Sequence, residues 1–247
     1  MGEELIYEKC TDGVGIIRLN TPPLNLQTLS SMQLLSEIIG EIEQDRTILA
    51  LVLTGENGRV FSAGSDVKEF PTLRGNFVEE KLRFENYVFD RISMLPIPTV
   101  CAVTGSALGG GLELALCFDF RVMSETAWLS MPEINLGNFP GSGGPLRLVR
   151  LIGPYRAMEL ISMAASLSAE EALEYHLVTE VVPEAQVTMR AISMARLLAK
   201  KPAAELQAIK RLVYASAYQS VQEAAAGSLY AARQLLPGAV GKSEVII

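Results

Sequence analysis

The chain has 247 residues, 49% of them hydrophobic and 20% charged, with a formal net charge of −7. This composition excludes a disordered chain, and the acidic balance argues against nonspecific capture by nucleic acid or an anionic membrane. An anionic ligand held locally by a few lysines or a helix N-terminus stays open.

Met1-Gly-Glu-Glu lacks the basic and apolar regions of a secretory signal, and no apolar run is long enough to span a bilayer, so a cytoplasmic protein is expected. Leu5–Cys10 and Val14–Leu19 read as a β-hairpin about Thr-Asp-Gly, and Thr21-Pro-Pro-Leu-Asn as a rigid turn. Leu29, Met32, Leu35, Ile38, Ile39 and Ile42 recur at helical spacing. Ile48–Leu53 is a buried strand. A short strand then enters Phe61-Ser-Ala-Gly-Ser-Asp66, and Asn76–Leu95 is an amphipathic helix stopped by Pro96-Ile-Pro98. Thr99–Val103 is a strand, Leu112–Cys117 a buried helix, and Phe118–Met123 and Ala127–Leu129 are short strands. From about Gly143 the pattern is helical: Arg147–Leu151, Tyr155–Met163, Ala169–Tyr175, Glu184–Lys200, Ala203–Ser216 and Val221–Leu236, interrupted by a strand over Val178–Val182. β–turn–α units first and helices last predict an α/β body with a helical C-terminal layer.

Glu113 and Glu133 carry the strongest chemical signal. Glu113 closes Gly105-Ser-Ala-Leu-Gly-Gly-Gly-Leu-Glu113, and Glu133 opens Met131-Pro-Glu-Ile-Asn-Leu-Gly-Asn-Phe-Pro-Gly-Ser-Gly-Gly144. Two carboxylates brought together can divide the roles of proton donor and acceptor. Each also has a structural alternative: Glu113 as a solvated residue on one helix face, Glu133 as the anion of a helix N-terminus. Gly109-Gly110-Gly111 follows a strand and opens a helix, a place where free N–H groups polarise a bound oxygen; close strand–helix packing is the alternative. Phe61–Asp66 is a second such turn, or a β–α turn capped by Asp66. Neither a dinucleotide fingerprint nor a phosphate-loop lysine is present. With one histidine, His176, there is no His-rich metal site and only one candidate for a Ser–His or Cys–His triad. Cys10, Cys101 and Cys117 have no CxxC spacing, Cys101 and Cys117 lie in apolar stretches, and reduced core thiols are expected.

Phe61-Ser-Ala-Gly-Ser-Asp-Val-Lys-Glu69, the stretch Pro98–Ala115 with its triple glycine, and Met131–Gly144 together resemble the crotonase superfamily, specifically the enoyl-CoA hydratase/isomerase family. The likeness runs from Ile16-Ile-Arg-Leu-Asn to about Val182-Pro183. It implies a crotonase-like spiral of ββα units with a helical C-terminal layer, divided as a 1–195 core holding the site and a 196–247 oligomerisation region. By resemblance, the N–H groups of Ser65 and Gly110 form an oxyanion hole for the thioester carbonyl. Glu113 and Glu133 match the two catalytic glutamates, and Gly141 the glycine that orients the attacking water. Leu26, Ala63, Gly64, Ser65, Asp66, Val67, Lys68, Leu108, Gly109 and Gly110 would line the substrate and coenzyme A channel, and Phe70, Leu73, Phe77 and the surroundings of Phe139 the acyl pocket.

The expected reaction is reversible hydration of trans-2-enoyl-CoA. The alternatives are double-bond isomerisation with Glu133 as base, or a catalytically weak acyl-CoA-binding homologue. No metal or redox cofactor is implied, coenzyme A being part of the substrate. The expected partners are an acyl-CoA thioester and further copies of the chain, as a homotrimer or dimer of trimers, with no nucleic acid or membrane. Departures from the family pattern are Leu26-Gln27, Ala164 and His176 where glycines are usual, and the tail from Leu236 to Ile247.

Overall fold

The computed structural model describes residues 4–55, 59–69 and 76–236. In chain order the elements are β1 (Leu5–Lys9), β2 (Val14–Leu19), α1 (Leu29–Gln44), β3 (Ala50–Gly55), β4 (Val60–Ser62), α2 (Arg83–Met94), β5 (Thr99–Val103), β6 (Ser106–Leu108), α3 (Gly110–Ala115), β7 (Phe120–Ser124) and β8 (Trp128–Ser130). They continue with α4 (Gly144–Ser162), β9 (Ser166–Ser168), α5 (Ala169–Glu174), β10 (Glu180–Val182), α6 (Val187–Ala199), α7 (Ala203–Ser216) and α8 (Val221–Leu235). Short 3₁₀ turns cover Val67–Glu69, Pro132–Leu136 and Glu184–Gln186.

Two sheets arise from one repeating habit of the chain. One runs β1-β2-β3-β5-β7-β10 and the other β4-β6-β8-β9. Each of three successive units places its first strand in the large sheet (β3, β5, β7) and its second in the small one (β4, β6, β8), then leads into a helix. This is the spiral of ββα units that the resemblance implies. Strand side chains alternate between two packed faces. Leu51 and Leu53 face the main core with Cys101 and Val103, whereas Ala50 and Val52 face Val187, Ala191 and Ala195 of α6.

α1 forms as its periodicity predicts: Met32, Leu35, Ile38, Ile39 and Ile42 are buried, and Thr28 and Ser31 close a reciprocal cap at its start. The expected break at Gly153-Pro154 is a kink within α4, where Gly153 leaves the helical region. The continuous helix expected over Asn76–Leu95 is not found in that form. Val78–Leu82 is a π-helical turn in which the Arg83 N–H reaches Val78 O, and regular α-helix begins at Arg83. The two strands that the sequence reading lacks, β6 and β9, have three residues each, too few to show a period.

Ala164 and His176 have φ of 48° and 59°, so both occupy the left-handed region where glycine is favoured. His176 follows Tyr175, the C-cap of α5, and its N–H donates to Leu173 O at 3.0 Å. Cys101 and Cys117 are buried free thiols, and burial pushes Cys117 up to about 12. Cys10 is only partly buried and is not a core thiol. The 195/196 division falls inside α6. α7 buries only Ala208 and α8 only Ala231, which leaves Ile209, Val213, Leu229 and Tyr230 exposed. Lys210 donates to Ile97 O and Asp119 Oδ2, and Tyr214 to Asp119 Oδ1, joining α7 to the spiral.

Candidate active site

α3 starts on glycines because of backbone conformation and close contact. Gly109 has φ of 51°, and a Cβ on it would lie 2.8 Å from Glu133 Oε1. At Gly111 a Cβ would meet Ser62 O of β4 at 2.2 Å, so close strand–helix packing is also real there.

The Phe61–Asp66 turn runs against this glycine turn. A Cβ on Gly64 would sit 2.7 Å from Gly110 N, and one on Gly110 would sit 3.4 Å from Ser65 N. A parallel bridge between Gln27 and Ser65 uses the Gln27 N–H to Gly64 O and the Asp66 N–H to Gln27 O. The Ser65 N–H therefore lies outside the ladder. Gly110 is the first residue of α3, whose N–H has no acceptor within the helix. Asp66 also caps its own turn, its Oδ1 accepting the Lys68 N–H at 3.0 Å.

Glu113 is 3% exposed, which removes its reading as a solvated residue. Its Oε1 accepts the N–H groups of Ser142 at 2.8 Å and Gly144 at 2.7 Å. Burial pushes its pKa up to about 7; the Gly144 and Ser142 N–H groups pull downward, and the charges of Glu133 and Glu85 push further up. Glu133 follows Pro132 in a 3₁₀ turn and is half-buried. Its Oε2 is buried and has no hydrogen-bond partner among the described residues. Burial raises its pKa as well, against a bond from its own backbone N–H. Both carboxylates open on one cavity of about 490 Å³.

Ser65, Gly110, Gly141, Ala63, Val67 and Gly109 line the same cavity, together with Phe77 and Phe139 from the expected acyl pocket. Leu26, Gly64, Asp66, Lys68 and Leu108 do not line it. Leu26 and Leu108 are half-buried behind the turns, Gly64 packs beneath Gly110, and Lys68 is exposed on its short 3₁₀ turn. Phe70 and Leu73 lie outside the described residues, as does the tail beyond Leu236. Among the described residues no cluster of His, Cys, Asp or Glu could hold a metal ion, and no helix is long and apolar enough to cross a membrane.

A family model described as enoyl-CoA hydratase/isomerase matches residues 9–236. The chain belongs to the enoyl-CoA hydratase/isomerase family. It is 37% identical over 206 residues to a short-chain-enoyl-CoA hydratase of Clostridium acetobutylicum, covering 80% of this chain and 78% of that protein. It is 40% identical over 168 residues to an enoyl-CoA isomerase/hydratase of Zymoseptoria tritici, covering 66% of this chain and 54% of the relative. The crystal structure of an enoyl-CoA hydratase from Bacillus anthracis superposes with a TM-score of 0.91 at 31% identity, covering 95% of this chain and 92% of the other. The fold is thus that of the crotonase-type hydratases.

Against this family background, the sequence reading lacks a third carboxylate at the cavity. Glu85 is 1% exposed; its Oε1 accepts from Ser65 Oγ at 2.9 Å and its Oε2 from Ser142 Oγ at 2.8 Å. Beside it, the fully buried Lys81 donates to Gln27 O at 2.7 Å and Glu69 Oε2 at 2.5 Å, and lies 3.7 Å from Glu85 Oε1. A signal for both was available. The buried stripe Phe89, Ile92 of α2, extended backward by fours, lands on Glu85 and then Lys81.

Proposed function

We propose that this protein is an enoyl-CoA hydratase that adds water reversibly to trans-2-enoyl-CoA thioesters. The carrying observation is that Glu113 and Glu133, both with raised pKa, share one cavity with the adjoining turns of Ser65 and Gly110. In this reading the Ser65 and Gly110 N–H groups receive the thioester oxygen, which gains charge as water adds at C3 and an enolate forms. Loss of one such donor costs about 3 kcal/mol of barrier. The two carboxylates hold the water between them; one takes its proton and a proton is returned to C2, so the elements of water are added and no redox step is needed. A pKa near 7 suits Glu113 to exchanging a proton at neutral pH. Gly141, on the same loop as the Ser142 N–H, borders the water position.

The rest of the site fits the same substrate. Val67 and Lys68 are exposed beside the Ser65 turn, and in this reading they would meet coenzyme A, with Lys68 as a phosphate neighbour. Phe77 and Phe139 line the cavity where the acyl chain would lie. The exposed apolar faces of α7 and α8 support assembly into a homo-oligomer.

The isomerase reading keeps one observation in its favour. Glu133 Oε2 is a buried oxygen with no partner among the described residues, a suitable lone base. Assays with trans-2-enoyl-CoA and 3-enoyl-CoA of several chain lengths separate the two, run on the wild type and on Glu113→Gln and Glu133→Gln. Hydration lost in both variants supports the hydratase. Negligible wild-type hydration, with isomerisation that survives Glu113→Gln, establishes the isomerase instead. Tight acyl-CoA binding with no turnover points to a binding homologue.

A further inference from the structure

We propose that Glu85 is a positioning residue: its carboxylate ties the Ser65 turn to the 141–144 loop and so fixes the oxyanion donor relative to Glu113. The inference deepens the hydratase reading and rests on it for the chemistry that is positioned.

The two halves of the cavity come from parts of the chain far apart in sequence. The Ser65 turn follows β4, whereas the 141–144 loop precedes α4 and supplies both N–H groups that grip Glu113 Oε1. Glu85 bridges them with one hydrogen bond from each oxygen, to Ser65 Oγ and to Ser142 Oγ. Ser142 therefore binds two carboxylates at once, Glu85 through its hydroxyl and Glu113 through its N–H. Any displacement of Glu85 is transmitted to Glu113 through that one residue.

The bridge is itself anchored. Lys81 holds Glu85 from the preceding turn while bonding Gln27 O and Glu69, and Glu69 accepts the Leu29 N–H at the start of α1. The π-helical turn Val78–Leu82 carries Lys81 into this position. The far side of the 141–144 loop is fastened by Asn86 Nδ2 to Gly141 O at 2.8 Å and by Arg147 Nη1 to Ser142 O at 2.7 Å. Arg147 is in turn held by Asp90. A buried carboxylate is expensive unless it is hydrogen-bonded and paired, and here two serine hydroxyls donate to Glu85 while the Lys81 ammonium stands 3.7 Å from it. The charged groups around Glu113 are thus Glu133 and Glu85, with Lys81 and Glu69 behind Glu85 and Arg147 and Asp90 behind Ser142. Removing the charge of Glu85 favours the ionised form of Glu113, because the Glu85 carboxylate repels a negative charge there.

The test compares wild type with Glu85→Gln, which keeps volume and one acceptor but forces one serine to reverse its hydroxyl. We expect kcat for trans-2-enoyl-CoA hydration to fall on the order of 10–100-fold, the size of effect a misplaced site produces, with KM changed less than about threefold. The acid limb of the kcat/KM profile, and the ¹³C NMR titration of the Glu113 carboxyl assigned with Glu113→Gln, should both move to lower pH. A residue that merely stabilised the fold would lower the melting temperature and leave both titrations in place. Should Glu85→Gln fail to fold, the double variant Ser65→Ala/Ser142→Ala removes both ties and should reproduce the loss of kcat. A kcat within about twofold of wild type and an unmoved Glu113 titration overturn the proposal. A wild type that hydrates no substrate overturns the hydratase reading alone, because the NMR titration still reports whether Glu85 acts on Glu113.

Discussion

The two carboxylate regions of the cavity are built on opposite plans. Glu113 projects from a buried helix, its oxygen held by two backbone N–H groups of a loop that is itself fastened by Asn86, Arg147 and Glu85. Glu133 sits on a half-exposed 3₁₀ turn with one oxygen unpartnered among the described residues. A group with fixed acceptor geometry has one position in which to exchange a proton. A group whose oxygen has no partner among the described residues keeps that oxygen available to a ligand. The difference teaches that one glutamate is pre-organised by the core while the other is placed by local turn geometry.

The largest test of this contrast is kinetic. Glu113→Gln and Glu133→Gln should each lower kcat for hydration by roughly 10²–10⁴ while leaving the fold intact by circular dichroism. If only one variant loses activity, the two regions do not share one water.

Stability against pH should separate them next. The folded pKa of Glu113, about 7, lies above the ordinary 4.5, so its favourable contribution is complete below pH 4.5 and is lost as pH rises through about 7. Glu113→Gln should therefore be more stable than wild type at pH 8, by up to about 3 kcal/mol in urea unfolding, with the gain vanishing near pH 4. Glu133→Gln should show the same sign and a smaller gain, because its burial is less complete. Equal gains would erase the distinction between a core-held and a turn-held carboxylate.

Adding one methyl group probes each region's freedom to yield. A Cβ at Gly144 would lie 2.9 Å from Glu113 Oε1, which is pinned, so Gly144→Ala should cost about 1–3 kcal/mol and displace the carboxylate. At Gly109 the same group meets Glu133 Oε1 at 2.8 Å, the far end of a side chain that no backbone N–H of another described residue pins. The cost of Gly109→Ala should then be mainly that of an alanine held at φ 51° and ψ −126°, outside the left-handed helical well, about 1–3 kcal/mol, with a partial loss of activity. Comparable displacement of both carboxylates in crystal structures of the two variants would contradict the contrast.

The smallest effect is a control away from both carboxylates. Ala164→Gly and His176→Gly should each raise stability by about 0.5–1 kcal/mol in the same unfolding assay and leave kcat unchanged.

Much of the architecture was legible wherever a period was long enough to read. The stripe of α1, the runs of β2 and β3 and the breaks at Gly153-Pro154 and Pro183 all carry local signals of packing or backbone freedom. The three-residue strands β6 and β9 carry none, since their positions depend on neighbours already in the small sheet. Glu113 and Glu133 stood out because glycine runs beside carboxylates are chemically suggestive even without coordinates. Lys81 and Glu85 fall on the backward extension of the buried α2 stripe, but a lysine and a glutamate four residues apart also read as a solvated pair on a helix face, and that reading hid the stripe. Only the packing of α2 against the Ser65 turn and the 141–144 loop buries them.

The sequence by itself determined the family, the order of the longer strands and helices, and the candidate pair of acidic groups, because hydrophobic period, turn residues and ordered motifs are local properties. The tertiary structure alone decided how closely the Ser65 and Gly110 turns pack and that Ser142 grips Glu113. It also decided that a third carboxylate, Glu85, joins the two sides of the cavity. Those relations hold between residues tens of positions apart, and their energies come from burial and hydrogen-bond geometry that no local pattern encodes.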